Sequence, residues 1–261
     1  MVLETEKGDE LNWYTYFDLA TALYEHCEAL WQVFGRRAFV QHQLVHMNVA
    51  SIAFGWVIEV IERGKWSDTV HKASLIDLAL SMRAVVDASW ERINSEHEVD
   101  REDARAIVVE LIGEDNQPGQ IVGRSARRAQ EHPSYSHLAG QVHVLAHQLN
   151  CGGRLGYHNA YNPAMTEQLP QQALDLLDAT SHTMDRERTR RQLWLNMAME
   201  FVGNPTIRRK HATLAYQSAK QHGDANHANR AWLIRKFGRF GNRLHYVGVL
   251  AGMVPRYKRS Y

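Results

Sequence analysis

Apolar residues recur along this chain at helical spacing almost from end to end. Trp13, Phe17, Ala20, Tyr24, Cys27, Trp31 and Phe34 step by four and three residues in alternation, which stacks them on one helix face and predicts an interhelical seam that Gly35 can end. A second helix is expected from about 37 to 62, stopped by Gly64, with Val49, Ile52, Ala53, Trp56, Val57 and Val60 as a wide apolar stripe. Ser67 or Asp68 can cap a third, whose Leu75, Ala79, Met82, Val86 and Ile93 face inward. Asp100 and Asp103 open a short fourth helix through Leu111, which Gly113 closes.

The Asn, Pro and Gly content of GEDNQPGQIVGRS, residues 113–125, predicts a loop, followed by a short basic helix around SARRAQEH. A helix from Ser134 to about Asn150 comes next, with Leu138, Val142, Leu145 and Leu149 as its buried row. A second interruption, residues 151–170, is long enough to be a functional loop or a docking segment. One long helix is expected from about Gln171 to Val202, broken by the GNP of 203–205, and then three shorter ones at 206–221, 225–237 and 241–253. No long alternating stretch competes, so the expected fold is all-α, a multi-helix bundle of about eight to ten helices. It divides into an acidic N-terminal bundle (1–112), a loop-rich connecting region (113–170, with the helix at 134–150) and a basic C-terminal helical part (171–261).

Composition agrees with a globular chain: of 261 residues 44% are hydrophobic and 23% charged, which excludes a disordered or fibrous protein. Cys27 and Cys151 are too few for a disulfide framework, the start lacks a signal-peptide pattern, and charges interrupt every apolar run before it could span a bilayer. A soluble, cytoplasmic protein with no membrane contact is therefore expected. The net charge of +1 hides a partition. Residues 1–182 hold 14 Lys and Arg against 25 Asp and Glu, whereas residues 183–261 hold 16 against 4. Such asymmetry calls for a polyanionic partner of the basic part or for docking of basic on acidic surfaces.

Two histidine pairs invite a metal hypothesis. His42 and His46 are four residues apart, as are His143 and His147, so each pair shares a helix face where two imidazoles could ligate one zinc or iron ion. Cys151 and His158 could extend the second set. Chance also produces such pairs when 15 of 261 residues are histidine, and neither pair carries the Glu of an HExxH motif. No Walker A loop, nucleophile elbow or paired Cys-x-x-Cys is present, and most carboxylates fall where amphipathic helices need solvent-facing residues. The expectation is accordingly no cofactor and no catalytic residue.

The basic part carries more information. Arginine outnumbers lysine there by 12 to 4, and the guanidinium fork matches phosphate oxygens while its plane stacks on bases. Candidate contacts to nucleic acid, DNA or RNA, are Arg208, Arg209, Lys210, Arg230, Arg235, Lys236, Arg239, Phe240, Arg243, Arg256, Lys258 and Arg259. Gly238 and Gly241 would let backbone approach a phosphate ahead of a helix starting near Asn242. Of the interleaved rings, Phe240, Tyr257 and Tyr261 are expected to be accessible, while Trp232, Leu233, Phe237, Leu244, Val247 and Leu250 match core spacing. Residues 206–237 could also form a helix-turn-helix with Asn226, Asn229 and Arg230 placed for base contacts. The leading expectation is a non-enzymatic nucleic-acid-binding subunit or accessory factor that meets protein partners through its acidic part. The alternatives are a scaffold docking on acidic protein and a metal-dependent enzyme using His42, His46, His143 and His147.

Overall fold

The computed structural model describes residues 9–34, 40–95, 118–152, 165–179, 184–201 and 203–255. Every regular element among them is helical, as the periodicity predicts. They are α1 (Asp9–Phe34), α2 (Val40–Arg63), α3 (Thr69–Ser95), α4 (Pro118–Glu131), a 3₁₀ turn (Pro133–Tyr135), α5 (Ser136–Gly152), α6 (Met165–Asp178), α7 (Met184–Glu200), α8 (Pro205–Gln221), α9 (Ala225–Phe237) and α10 (Arg239–Leu250). The expected helix at 100–111 lies outside the described residues.

The seam of α1 forms as its spacing dictates: Trp13, Phe17, Ala20 and Cys27 are buried, and Phe17 meets Phe54 of α2 edge-on at 5.5 Å. Asp68 caps α3, accepting from the amides of Val70 and His71 at 2.9 Å each, while the Tyr135 hydroxyl donates to its other oxygen. Leu75, Ala79, Met82 and Val86 then point inward. α2 departs from its expected stripe. Ala53 and Val57 are buried, but the core face is completed by Met47, Ala50, Phe54 and Ile61, which leaves Val49, Ile52 and Trp56 exposed.

Two other expectations are corrected. Helix α4 begins at Pro118, inside the stretch expected to be a loop; proline suits a first helical turn, and Ile121, Ser125 and Ala129 bury at steps of four. The single helix expected over 171–202 is two, and α6 starts at Met165, so its first turns occupy the end of the second interruption, with Pro170 buried inside the helix. The ion pair of Arg190 Nη2 with Asp178 Oδ1 at 2.6 Å shows why the two must be separate. Twelve residues of straight helix would hold these groups about 18 Å apart.

Helix α5 is the hub. Its Val142 packs with Leu80 of α3 and Ile121 of α4, while Val144 on another face packs with Ala173 of α6 and Leu193 of α7. Helices α7, α8 and α9 close around Leu195, Ala198, Ala212, Ala215, Ala231 and Ile234. α10 folds back along α9 and also packs on α1, so the chain forms a closed circuit of helices. No described helix is long and apolar enough to cross a membrane.

Candidate nucleic-acid interface

Three helix ends meet at the basic surface, and local sequence explains each. Asn204 caps α8, accepting from the amides of Thr206 and Ile207, with Pro205 in the first turn. A short turn at 222–224 folds α9 back on α8, and Arg235 lies over the Tyr216 ring at 5.4 Å. The first turn of α8, with Arg208, Arg209 and Lys210, is thereby brought to the same end as Lys236. Gly238, at φ 59°, then reverses the chain into α10 and adds Arg239 and Arg243.

The arginines of this half divide into two sets. Arg186 and Arg190 reach Asp178 and Glu187, and Arg191 pairs with Asp224, so three of the four arginines of RERTRR are answered by carboxylates within the protein. Arg230 is likewise committed: its Nε donates to Asn242 Oδ1 at 3.0 Å, and its guanidinium lies 5.4 Å from the Tyr246 ring. By contrast, Arg209, Lys210, Lys236, Arg239 and Arg243 are exposed, and no carboxylate among the described residues lies within 4.0 Å of any of them. Arg208 is half-buried, and Arg256, Lys258 and Arg259 fall outside the described residues, as do Tyr257 and Tyr261.

The aromatic residues also differ from expectation. Phe240 is 61% exposed as foreseen, but Phe237 (51%), Trp232, Leu244 and Val247 are exposed too, although their spacing suggested packing. The interior of the α8–α9–α10 unit is built instead from small residues. Ala212, Ala215 and Ala231 are buried, and a Cβ on Gly241 would stand 2.0 Å from the Leu233 carbonyl oxygen. Close backbone approach through alanine and glycine leaves no interior volume for the rings, which turn outward. Gly241 therefore serves the hairpin and not a phosphate, and α10 starts at Arg239, ahead of the expected Asn242. The result is a face on which Trp232 and Phe237 meet edge-on at 6.2 Å, with Phe240, Leu244 and Val247 following on α10 amid the five open cations.

The side chains that a helix-turn-helix would use to read bases are engaged within the protein. Asn226 Nδ2 donates to the Pro255 carbonyl at 2.8 Å, Asn229 Oδ1 meets His245 Nδ1 at 3.0 Å, and Arg230 is held by Asn242. All three side chains that would read bases are engaged with α10 or the segment after it.

At the other end of α9, by the turn from α8, lies a buried polar network that sequence reading missed. Asp224 caps α9, accepting from His227 N at 3.0 Å, and also meets His227 Nδ1 at 2.5 Å and Arg191 Nη2 at 3.1 Å. Burial opposes ionisation of Asp224, yet the side-chain and backbone hydrogen bonds from His227 and the charge of Arg191 outweigh it and hold its carboxyl below the usual range. Burial lowers the His227 pKa, so a neutral imidazole donates to the carboxylate and Arg191 supplies the positive charge. Only the Asp at an N-cap position three residues before a His hinted at this pairing.

Of the four histidines, the three whose side chains are described, His46, His143 and His147, do not form a common group. His46 on α2 lies edge-on to His26 of α1 at 6.1 Å; the side chain of His42 is outside the described set. His143 and His147 are buried on α5, a helix that packs on α3 as α2 does from its own side. His143 Nδ1 donates to the Ala139 carbonyl at 2.9 Å, and burial pushes His147 down to about 4. No three His, Cys, Asp or Glu side chains among the described residues form a group that could hold a metal ion. No known protein family matches this chain, and neither a curated protein nor a solved structure similar to it is found.

Proposed function

We propose that this protein is a cytoplasmic, non-enzymatic nucleic-acid-binding subunit or accessory factor, gripping the phosphate backbone with the α8–α9–α10 end. One observation carries the reading: Arg209, Lys210, Lys236, Arg239 and Arg243 stand open with no carboxylate partner among the described residues, interleaved with exposed Trp232, Phe237 and Phe240. Cations without internal counterions favour a polyanion, and exposed rings offer sequence-tolerant stacking to unpaired bases. The commitment of Asn226, Asn229 and Arg230 to the fold argues for backbone tracking over base readout.

A second reading, docking on an acidic protein, draws on Leu244 and Val247, whose aliphatic surface suits a protein partner better than a nucleotide. Fluorescence anisotropy with labelled single-stranded and duplex DNA and RNA separates the two. The nucleic-acid reading requires affinity that falls more than about tenfold as salt rises from roughly 50 to 200 mM, because each neutralised phosphate releases counterions. Arg239→Glu with Arg243→Glu should abolish that binding and leave the far-ultraviolet helical signal unchanged. Absence of binding to every probe at low salt would leave the protein-docking reading.

A further inference from the structure

In the other half of the molecule, the geometry points to a second binding site, in the groove between α2 and α4, for an organic carboxylate with a flat apolar body. Both helices pack on α3 and leave between them a cavity of about 700 Å³ with α3 as its floor. That volume falls within the range of small-molecule sites, roughly 300–1,000 Å³. Ile58, Ile76 and Leu80 supply an apolar wall, and the Trp56 indole, 53% exposed, stands at the rim.

Three guanidinium groups enter the groove. Arg124 and Arg128 both bind Asp77, so two positive charges are answered there by one buried negative charge. Of the three, Arg83 has no carboxylate among the described residues within hydrogen-bond distance: Asp87 lies 3.9 Å from its Nε, and that Nε is buried without a hydrogen-bond partner among them. Burial pushes Asp87 up to about 6, against the Ser51 bond and the Arg83 charge, which further weakens it as a counterion. Gly55 makes room beside the guanidinium, since a Cβ there would stand 3.5 Å from Arg83 Nη1. The two glutamates of the lining, Glu59 and Glu62, stand exposed on the α2 rim, where water screens them, and Glu59 pairs with Arg63.

A half-buried cation whose Nε is an unmet donor is a candidate anion receptor, and a guanidinium fork matches a carboxylate by two parallel bonds. A single open fork selects a singly charged head, while Trp56 and the aliphatic wall take the body.

The test uses the full chain with naphthoate and its neutral counterpart naphthylmethanol, followed by isothermal titration, thermal melting and tryptophan fluorescence. Naphthoate should bind saturably, raise the melting temperature and quench fluorescence, with most of the quench lost in Trp56→Phe; naphthylmethanol should bind at least about tenfold more weakly. Arg83→Met should weaken naphthoate by at least about tenfold and Arg83→Lys by less, with oligonucleotide binding unchanged in both. Equal affinity for acid and alcohol, unchanged affinity in Arg83→Met, or no saturable binding of naphthoate overturns the proposal. If Arg83→Met does not fold, the acid–alcohol comparison and Trp56→Phe decide.

Discussion

Arg191 Nη2 lies 3.1 Å from Asp224 Oδ2, and the Arg191 side chain is among the largest in the protein to be fully buried. This pair ties α7 to the N-cap of α9, and removing one partner strands a charge away from water. Arg191→Met is expected to destabilise the fold by about 3–5 kcal/mol, the range for a broken buried pair. The double variant Arg191→Met with Asp224→Asn should recover part of that loss, because no buried charge is then unpaired. Urea denaturation of the wild type, the single and the double variant measures the coupling.

Asp77 holds α4 in place by the same logic. It is 3% exposed and accepts from Arg124 Nη2 at 3.2 Å and from Arg128. Asp77→Asn should release α4 before the rest of the molecule unfolds, because Arg124 and Arg128 then lose the buried carboxylate that they share. Limited proteolysis should detect this as faster trypsin cleavage at the exposed Arg127, with the other helices still protected.

Gly241→Ala tests the α9–α10 seam. The added Cβ would stand 2.0 Å from the Leu233 carbonyl oxygen, a backbone atom that cannot swing aside. A loss of at least about 2 kcal/mol is expected, the range for overpacking without room to relax. Gly123→Ala, where a Cβ meets nothing within 4 Å, is the control and should be neutral or slightly stabilising.

Acid should weaken the fold through buried histidines. Burial lowers His147 to about 4 and His245 to about 3, the latter with help from Arg230 and His227, against an ordinary value of 6.5. The unfolded chain therefore binds protons that the native one refuses, so stability is full above about pH 6.5 and falls as pH drops, by up to about 1.4 kcal/mol per unit for each histidine. Asp87 acts in the opposite direction: its raised pKa favours the fold at low pH and offsets part of the loss between about 4 and 6. Melting temperatures between pH 7 and 5 should decline, and His245→Gln should flatten the slope even if it lowers the starting value.

These features differ in how far the sequence disclosed them. Helix positions follow from apolar spacing and caps: Trp13, Phe17 and Ala20 of α1, and Asp68 before α3, lie as their pattern requires. Which face is buried is less legible where small residues do the packing. In α9 the stripe of Trp232 and Phe237 looks like a core, yet Ala228, Ala231 and Ile234 form it, since an alanine face lets helices approach closely while carrying little hydrophobic signal. The break between α6 and α7 was hidden for a different reason, because no Gly or Pro marks residues 179–184 and the Asp178–Arg190 contact is what reveals the reversal. Charge counting located the basic surface but not its members; only packing distinguishes the buried Arg191 and committed Arg230 from the open Arg239 and Arg243.

The alanine and glycine seam separates solubility from stability in the α8–α10 unit. Because Trp232, Phe240 and Leu244 are exposed and lie outside the buried cluster of the unit, changing each to a polar residue should alter unfolding free energy by no more than about 1 kcal/mol. The same changes should raise the concentration at which the purified, ligand-free protein begins to scatter light, since exposed apolar patches promote aggregation. The partner surface would then act as the protein's own limit on how concentrated it can become alone, and a bound partner would lift that limit without making the fold any stronger.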